Sequence, residues 1–374
     1  MARILDLTSE TGAYGTRLLA ELGHDVVRVE PVAGDVLRRS GPYLGATPDL
    51  ESGAYHQYFN AGKRSFTPNL ESQDGKRLLL SLVAKADAVV ASLPLPVDQA
   101  ALLEANPDLV LIRLDDGPPE LCAYARSGLL LITGEPGSAP VLMGGHAPLA
   151  AIGTYLAIAA ASALLAWQVT GKGQIVDVSA QECLNVLCEQ AMIYYDTEGE
   201  VMERRGARGG ITAVAGALPC ADGHWMVSVP PNKDGWANFT QWIPDPMFTA
   251  DPALVSEAMR KEKKDLILDR VAAWSTKHKK DDLVVEAQRR HIPASPVTTP
   301  LDLVCDPQLL TRGFLQPIDH PKFGKMNFPI GALAQLWGGK PKMTPLLGED
   351  NAAILAEIGY SAAEIETLFD IGAV

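Results

Sequence analysis

The sequence predicts an α/β protein with a second, smaller α+β domain, and three observations carry that prediction. Residues 3–30 alternate strand, helix and strand: an apolar run Arg3–Thr8, helical spacing of Leu18, Leu19 and Leu22, and a second apolar run His24–Glu30. A strand–helix–strand unit of this kind builds a parallel sheet. Further apolar runs at Ala88–Ser92, Leu109–Leu114 and Gln174–Ser179 extend it, with helical patterns between them. Residues 211–320 read differently, as a hairpin and two helix-like runs followed by a Pro-rich extended stretch. The expected division is a large domain from 1–195 and 321–374, a connector over 196–210, and a small domain over 211–320.

In chain order, Gly12–Leu22 is the first helix, and Gly23 is its stop. The βαβ unit invites a dinucleotide-binding reading. Its turn, Thr8–Gly15, has no GxGxxG fingerprint and carries Glu10, which repels a pyrophosphate, so that reading is set aside. Pro31–Thr67 is rich in loops and holds two basic pairs, Arg38/Arg39 and Lys63/Arg64. They make either a solvated face or a phosphate pocket in which Arg binds bidentately and Lys acts as a point charge. Asp74–Ala86 is an amphipathic helix. Tyr194–Gly210 is polar and glycine-containing, as a mobile connector is. Gly216–Val229 is a hairpin turning at Asp222-Gly223. Leu254–Trp274 and Lys280–Arg290 are helix-like, and a helix from Asn351 is expected to return to the large domain.

The middle of the chain is built around residues 136–179. A Pro/Gly-rich loop leads into Leu149–Val169, which has no Asp, Glu, Lys or Arg, and a glycine turn at Gly171-Lys172-Gly173 leads on to Gln174–Ser179. The unpaired amides and dipole of such a helix start suit a catalytic group or an anion. The apolar segment is long enough to span a bilayer. Its many Ala and Gly residues and the lack of anchors at both ends favour a buried core helix, and no membrane association is expected.

Composition narrows the function. The 374 residues suffice for a large core and two domains, and the net charge of −13 argues against nucleic acid as a main partner. The five cysteines are odd in number and form no CxxC, which fits reduced thiols in a cytoplasmic protein and no metal site. The chain enters a strand-like run at once, so no signal peptide is expected.

Several stretches together resemble the family III CoA-transferases, the CaiB/BaiF-like group of formyl-CoA transferase, carnitine CoA-transferase and α-methylacyl-CoA racemase. They are residues 4–43 (ILDLT to RRSGPY), YFNAGKRS at 58–65, SGLLLITGEPG at 127–137, TGKGQIVDVSAQE at 170–182, ADGHW at 221–225, IPASPV to DPQLL at 292–310, and PLLGED at 345–350. The resemblance implies a Rossmann-like large domain formed from both chain ends, a smaller domain between them, and an interlocked homodimer. It implies coenzyme A as substrate, carried as an acyl-CoA, and an aspartate that attacks the thioester carbonyl. In the racemase branch a His and an Asp exchange the α proton instead.

The chain departs from that pattern where the chemistry sits. Counting back from Thr170-Gly171-Lys172, the family's nucleophile position is Leu149, and no Asp or Glu occurs between Gly137 and Lys172. Leucine has no lone pair and serves as neither nucleophile, acid nor base. Pro119 stands where the racemase His is expected, and Ala91-Ser92-Leu93 replaces the segment that lines the CoA channel. Arg38, Arg39, Lys63 and Arg64 remain as candidate CoA ligands, and Glu10 and His146 as candidate acid–base groups. Glu10 reads equally as a helix-start acid, and His146 as a loop histidine. Two functions follow. One is an enzyme acting on an acyl-CoA without the aspartyl nucleophile. The other is a non-catalytic subunit paired with an Asp-bearing homologue. Unaided transferase or racemase activity would need an unrecognised residue.

Overall fold

The computed structural model describes residues 1–45, 47–209, 212–331, 333 and 342–374. Along the chain, β1 (Arg3–Leu7), α1 (Glu10–Glu21), β2 (Asp25–Val29), α2 (Ala54–Phe59), β3 (Arg64–Phe66), α3 (Gln73–Val83), β4 (Ala88–Ser92), α4 (Gln99–Ala105) and β5 (Val110–Asp115) alternate strand and helix. α5 (Glu120–Arg126), the single turn α6 (Leu129–Ile132), the long α7 (Ala147–Thr170), β6 (Gln174–Ser179), α8 (Ala180–Val186) and α9 (Glu189–Glu198) follow.

All six strands are parallel, in the order β3-β2-β1-β4-β5-β6. This is the strand order of a Rossmann sheet. Successive side chains alternate between its faces. Ile4, Val26, Val90 and Ile112 face one core with Leu19 of α1, Ile152, Leu156 and Ala160 of α7, and Leu184 of α8. Leu5, Val27, Val89 and Leu111 face the other with Leu78, Leu79 and Leu82 of α3. Burial on both faces explains why the strands read as continuous apolar runs.

The chain divides into two compact units. The first comprises 1–129, 142–193 and 308–374, and the second 130–141 and 194–307. These bounds differ from the expected ones. Residues 130–141 leave the large domain. The segment 308–320 joins the first unit through a hairpin, whose Ile318 and Phe328 pack on Ala61. The expected boundary at 210/211 lies outside the described residues. Where a polar connector was expected, α9 runs on to Glu198.

The second unit holds a three-stranded sheet of β7 (Ala215–Cys220), β8 (Gly223–Ser228) and β9 (Ala294–Pro296), with the hairpin closing as expected next to Asp222. The helices α10 (Lys233–Trp242), α11 (Pro246–Ala250), α12 (Glu257–Glu262), α13 (Lys264–Ser275) and α14 (Lys280–Arg289) surround a core centred on Trp225, Phe239, Leu254, Ile267 and Val271. The run expected to be one helix over Leu254–Trp274 breaks at Ser256 (φ −81°, ψ 130°) and again at Lys263 (φ −97°, ψ 16°). Buried Arg260 fastens that corner by donating to the carbonyls of Pro231 (2.7 Å) and Leu254 (2.8 Å) and to Glu257 (2.6 Å).

Short helices α15 (Pro300–Val304) and α16 (Pro307–Thr311) precede β10 (Leu315–His320) and β11 (Gly324–Pro329), which form the hairpin of the first unit. The tail belongs to the first unit. Helices α17 (Asn351–Ile358) and α18 (Ala362–Asp370) place Ile354, Leu355 and Leu368 in the second core of the sheet. Asn351 binds Thr67 directly past β3: its Oδ1 accepts from Thr67 N–H (2.9 Å) and its Nδ2 donates to Thr67 Oγ1 (2.8 Å).

Candidate functional site

In a sheet of this order the strand sequence reverses between β1 and β4, and the crevice beyond their carboxyl ends is where ligands bind. Here the crevice is tied by Ser9 N–H donating to Ser92 Oγ (2.9 Å), which in turn donates to Asp116 Oδ1 (2.9 Å). Three helices begin around it: α1 at Glu10, α5 at Glu120, and α7, capped by His146.

Those starts gather the titratable groups. His146 Nδ1 lies 3.8 Å from Glu120 Oε2, and both side chains are about 30% exposed. Glu120 Oε1 and His146 Nδ1 are buried atoms without a hydrogen-bond partner among the described residues. Desolvation raises the Glu10 carboxyl above its ordinary range, and Asp35, Asp116 and Glu120 add to this while His146 opposes it. Burial also raises Asp116. Three acids and an imidazole therefore share one crevice, with at least two carboxyls more easily protonated than usual. Glu10 and His146, picked out from the sequence, do come together. Glu120 and Asp116 were missed. The proline before Glu120 marks a helix start and was the one available signal for it.

Leu149 sits in the first turn of α7, 8% exposed. Pro148 has no N–H, so Ala147 and Leu149 carry the amides that the helix leaves unpaired there. The start of α7 is held in place by a glycine crossing with α1. A Cβ on Gly15 would stand 2.5 Å from Gly153 O, and one on Gly153 would stand 2.7 Å from Gly15 N. Only two glycines let the helices approach this closely.

Beside that helix start lies a cavity of about 390 Å³. Tyr14, Tyr55, Tyr58, Phe59 and His146 wall it, and Ala54, Ala147 and Ala150 leave the space open. His146 meets Tyr55 edge to face at 4.2 Å, and Tyr14 meets Phe59 the same way at 5.9 Å.

The four candidate phosphate ligands separate. Arg38 is fully buried, with its guanidinium forked onto Glu30 (2.7 and 2.9 Å) and reaching Glu51 (2.6 Å). Lys63 is 4% exposed and donates to Asp6 (2.9 Å), Ala13 O (2.9 Å) and Asn60 Oδ1 (2.7 Å). Burial pushes the Lys63 ammonium down to about 8, with Asp6 pulling the other way. Burial alone would raise the Asp6 carboxyl, but Arg28 and Lys63 overrule it and hold it far below the usual range. Arg28 also pairs with Asp35. Arg64 is joined to Glu357, Asp25 and Asp350. Arg39 alone of the four is exposed, and its side chain donates to Ala33 O. Of the four candidate CoA ligands, Arg38, Lys63 and Arg64 are thus already paired with carboxylates. Removing either partner of such a buried pair leaves an uncompensated charge, so Arg38 with Glu30 and Lys63 with Asp6 brace the fold from inside.

The model for CoA-transferase family III matches residues 2–351. The chain is similar to the succinyl-CoA:(R)-benzylsuccinate CoA-transferase subunit BbsE of Thauera aromatica, with 32% identity covering 100% of this chain and 97% of that protein. It is similar to the succinyl-CoA–L-malate CoA-transferase alpha subunit of Chloroflexus aurantiacus, at 27% identity over 98% and 90% of the two chains. Its fold matches the crystal structure of a CAIB/BAIF family protein from Brucella suis with a TM-score of 0.82 and 26% identity, covering 96% and 98%. The parallel sheet, the returning tail and these matches agree, and the chain belongs to CoA-transferase family III.

Proposed function

We propose that the chain binds an acyl-CoA thioester as one subunit of a CoA-transferase and does not itself supply the aspartyl nucleophile, which an Asp-bearing homologous subunit contributes. The observation that carries this reading is Leu149. It is buried in the first turn of α7, and no Asp or Glu occurs from Gly137 to Lys172. Without a carboxylate, no acyl anhydride forms on this helix. Two relatives named as subunits support a hetero-oligomer. So does the bare apolar face of unit 1, where Tyr155, Ile158, Leu165 and Val169 of α7 and Met192 and Ile193 of α9 are exposed. α7 is long and apolar enough to cross a membrane, but Ile152, Leu156 and Ala160 pack in the sheet core, which favours a partner chain over lipid. A homodimer is the simpler form of the same cover. CoA is the ligand, with exposed Arg39 the candidate for its phosphate, and five free thiols support a cytoplasmic location.

The test is exchange. The pure chain is incubated with succinyl-CoA and carboxylate acceptors and followed by mass spectrometry, alone and after co-expression with an Asp-bearing homologue. No exchange and no hydroxylamine-trappable acyl group are expected for the chain alone, with exchange appearing in the pair. Robust exchange by the chain alone refutes the proposal.

The Glu120–His146 pair favours a second reading, in which the chain moves the proton α to the thioester carbonyl. Glu120 would orient the imidazole, His146 or Glu10 would take the proton, and the amides of Ala147 and Leu149 would face the developing oxyanion. Deuterium incorporation into an acyl-CoA in D₂O, lost in His146→Ala, tests it. An unchanged acyl mass eliminates it.

A further inference from the structure

The cavity beside α7 has a chemistry that the acid–base groups do not explain. Tyr14, Tyr55, Tyr58 and Phe59 supply its walls, and among the described residues no Asp, Glu, Lys or Arg lines it. The rings are already set in the arrangements aromatic groups prefer, with Tyr55 and Phe59 stacked at 6.2 Å and Tyr14 edge-on to Phe59 at 5.9 Å. Ala147 and Ala150 keep the α7 side low. A dry cavity of about 150 Å³ accepts a benzene ring. At about 390 Å³ this cleft, open to solvent on one side, has room for a ring and a short aliphatic linker, and a formyl or acetyl group would leave most of its aromatic wall uncovered. A carboxylate on the ring-bearing end of the acyl group would meet the aromatic wall there, with His146 at the other end as the titratable group of the lining.

We propose that this chamber receives an aryl-substituted hydrocarbon acyl group, and that Tyr55 and Ala150 set the preference. The proposal rests on the reading that the chain binds an acyl-CoA. The thioester end would lie toward His146 and the start of α7, and the ring between Tyr55, Phe59 and Tyr14.

Calorimetry with the full chain compares CoA, propanoyl-CoA and 3-phenylpropanoyl-CoA. A parallel saturation-transfer NMR experiment uses the CoA-free thioesters S-ethyl propanethioate and S-ethyl 3-phenylpropanethioate. The aryl compound is expected to bind at least about tenfold more tightly than the propanoyl one. Ala150→Phe, which fills the chamber, should erase that ratio, and Tyr55→Leu should shrink it. The Tyr55 variant decides the matter if the first does not fold by circular dichroism. CoA binding with equal affinities for the two acyl-CoAs overturns the chamber and leaves the acyl-CoA reading standing. Aryl preference in the simple thioesters without any CoA binding upholds the chamber and overturns that reading. Binding of neither overturns both.

Discussion

Replacing Gly15 by alanine sets two elementary rules against each other. Gly15 lies inside α1, where alanine is the better helix former by about 1 kcal/mol. Propensity alone therefore predicts stabilisation. The new Cβ would stand 2.5 Å from Gly153 O, against an ordinary contact of 3.4 Å, so α7 would have to retreat by about 0.9 Å. The obstacle is backbone within a helix, which no side-chain rotation relieves. Retreat loosens Ile152 and Leu156 from the sheet core, and overpacking of this kind costs roughly 1–3 kcal/mol or more. Taking the upper part of that range less the propensity gain, Gly15→Ala should destabilise the first unit by about 2 kcal/mol. For a unit of about 250 residues this lowers the melting temperature by roughly 4–8 °C. Thermal melts followed by circular dichroism check it, with Ser162→Ala on the exposed side of α7 as a control expected to stay within about 0.5 kcal/mol. A Gly15→Ala protein that melts at or above the parent temperature would refute the close crossing and the positioning of His146 and Ala150 that depends on it.

Asp6→Asn leaves Lys63 and Arg28 buried without their shared carboxylate. Urea denaturation should show a loss of about 3–5 kcal/mol, and near-parent stability would contradict the buried network. Burial and then Arg38 push the His56 imidazole down to about 3, so the folded chain keeps it neutral while the unfolded chain takes up a proton below about 6.5. Stability from this group is complete above that pH and falls as pH drops toward 3. A His56→Gln variant should show a shallower stability slope between pH 6.5 and 4, and coincident slopes would exclude the assignment. Arg260→Lys removes the fork that spans the Pro231 and Leu254 carbonyls and Glu257. It should lower the stability of the second unit by about 2 kcal/mol in chemical denaturation, and a silent substitution would show that the corner holds without it.

Much of the sheet was legible because its strands are buried on both faces and its helices keep a 3.6-residue period. Leu18, Leu19 and Leu22 marked α1, and Leu78, Leu79 and Leu82 marked α3, within a few residues of their observed ends. The break at Lys263 was not legible. It follows from the tertiary demand that Arg260 reach two carbonyls, whereas the local sequence favours continuing the helix. The place of residues 308–320 was not legible because a two-stranded hairpin carries little pattern of its own, and its ties to the first unit, such as Ile318 and Phe328 on Ala61 and Lys322 with Asp49, are tertiary. At the site, Glu10 and His146 stood out as polar residues at helix starts. Glu120 was hidden in a turn-like DDGPPE segment. The partners of the basic pairs were not legible, because sequence shows a charge but not what it meets: Glu30 lies 8 residues from Arg38 and Asp6 lies 57 residues from Lys63.

The returning tail bears on how the protein is made. Asn351 closes on Thr67 across 284 residues of chain, and Ile354, Leu355 and Leu368 complete a core begun by Leu5 and Val27. At a synthesis rate of about 5–20 residues per second, the ribosome needs roughly 15–60 s between making Thr67 and making Asn351. Throughout that interval this core is covered by α3 and α4 alone, and the places that Ile354, Leu355 and Leu368 fill stay open to holdases. A transcript stopped a few codons before Asn351 would therefore yield a chain with all six strands and a gap in one core where α17 and α18 belong, a substrate for proteolysis rather than a slightly shorter protein.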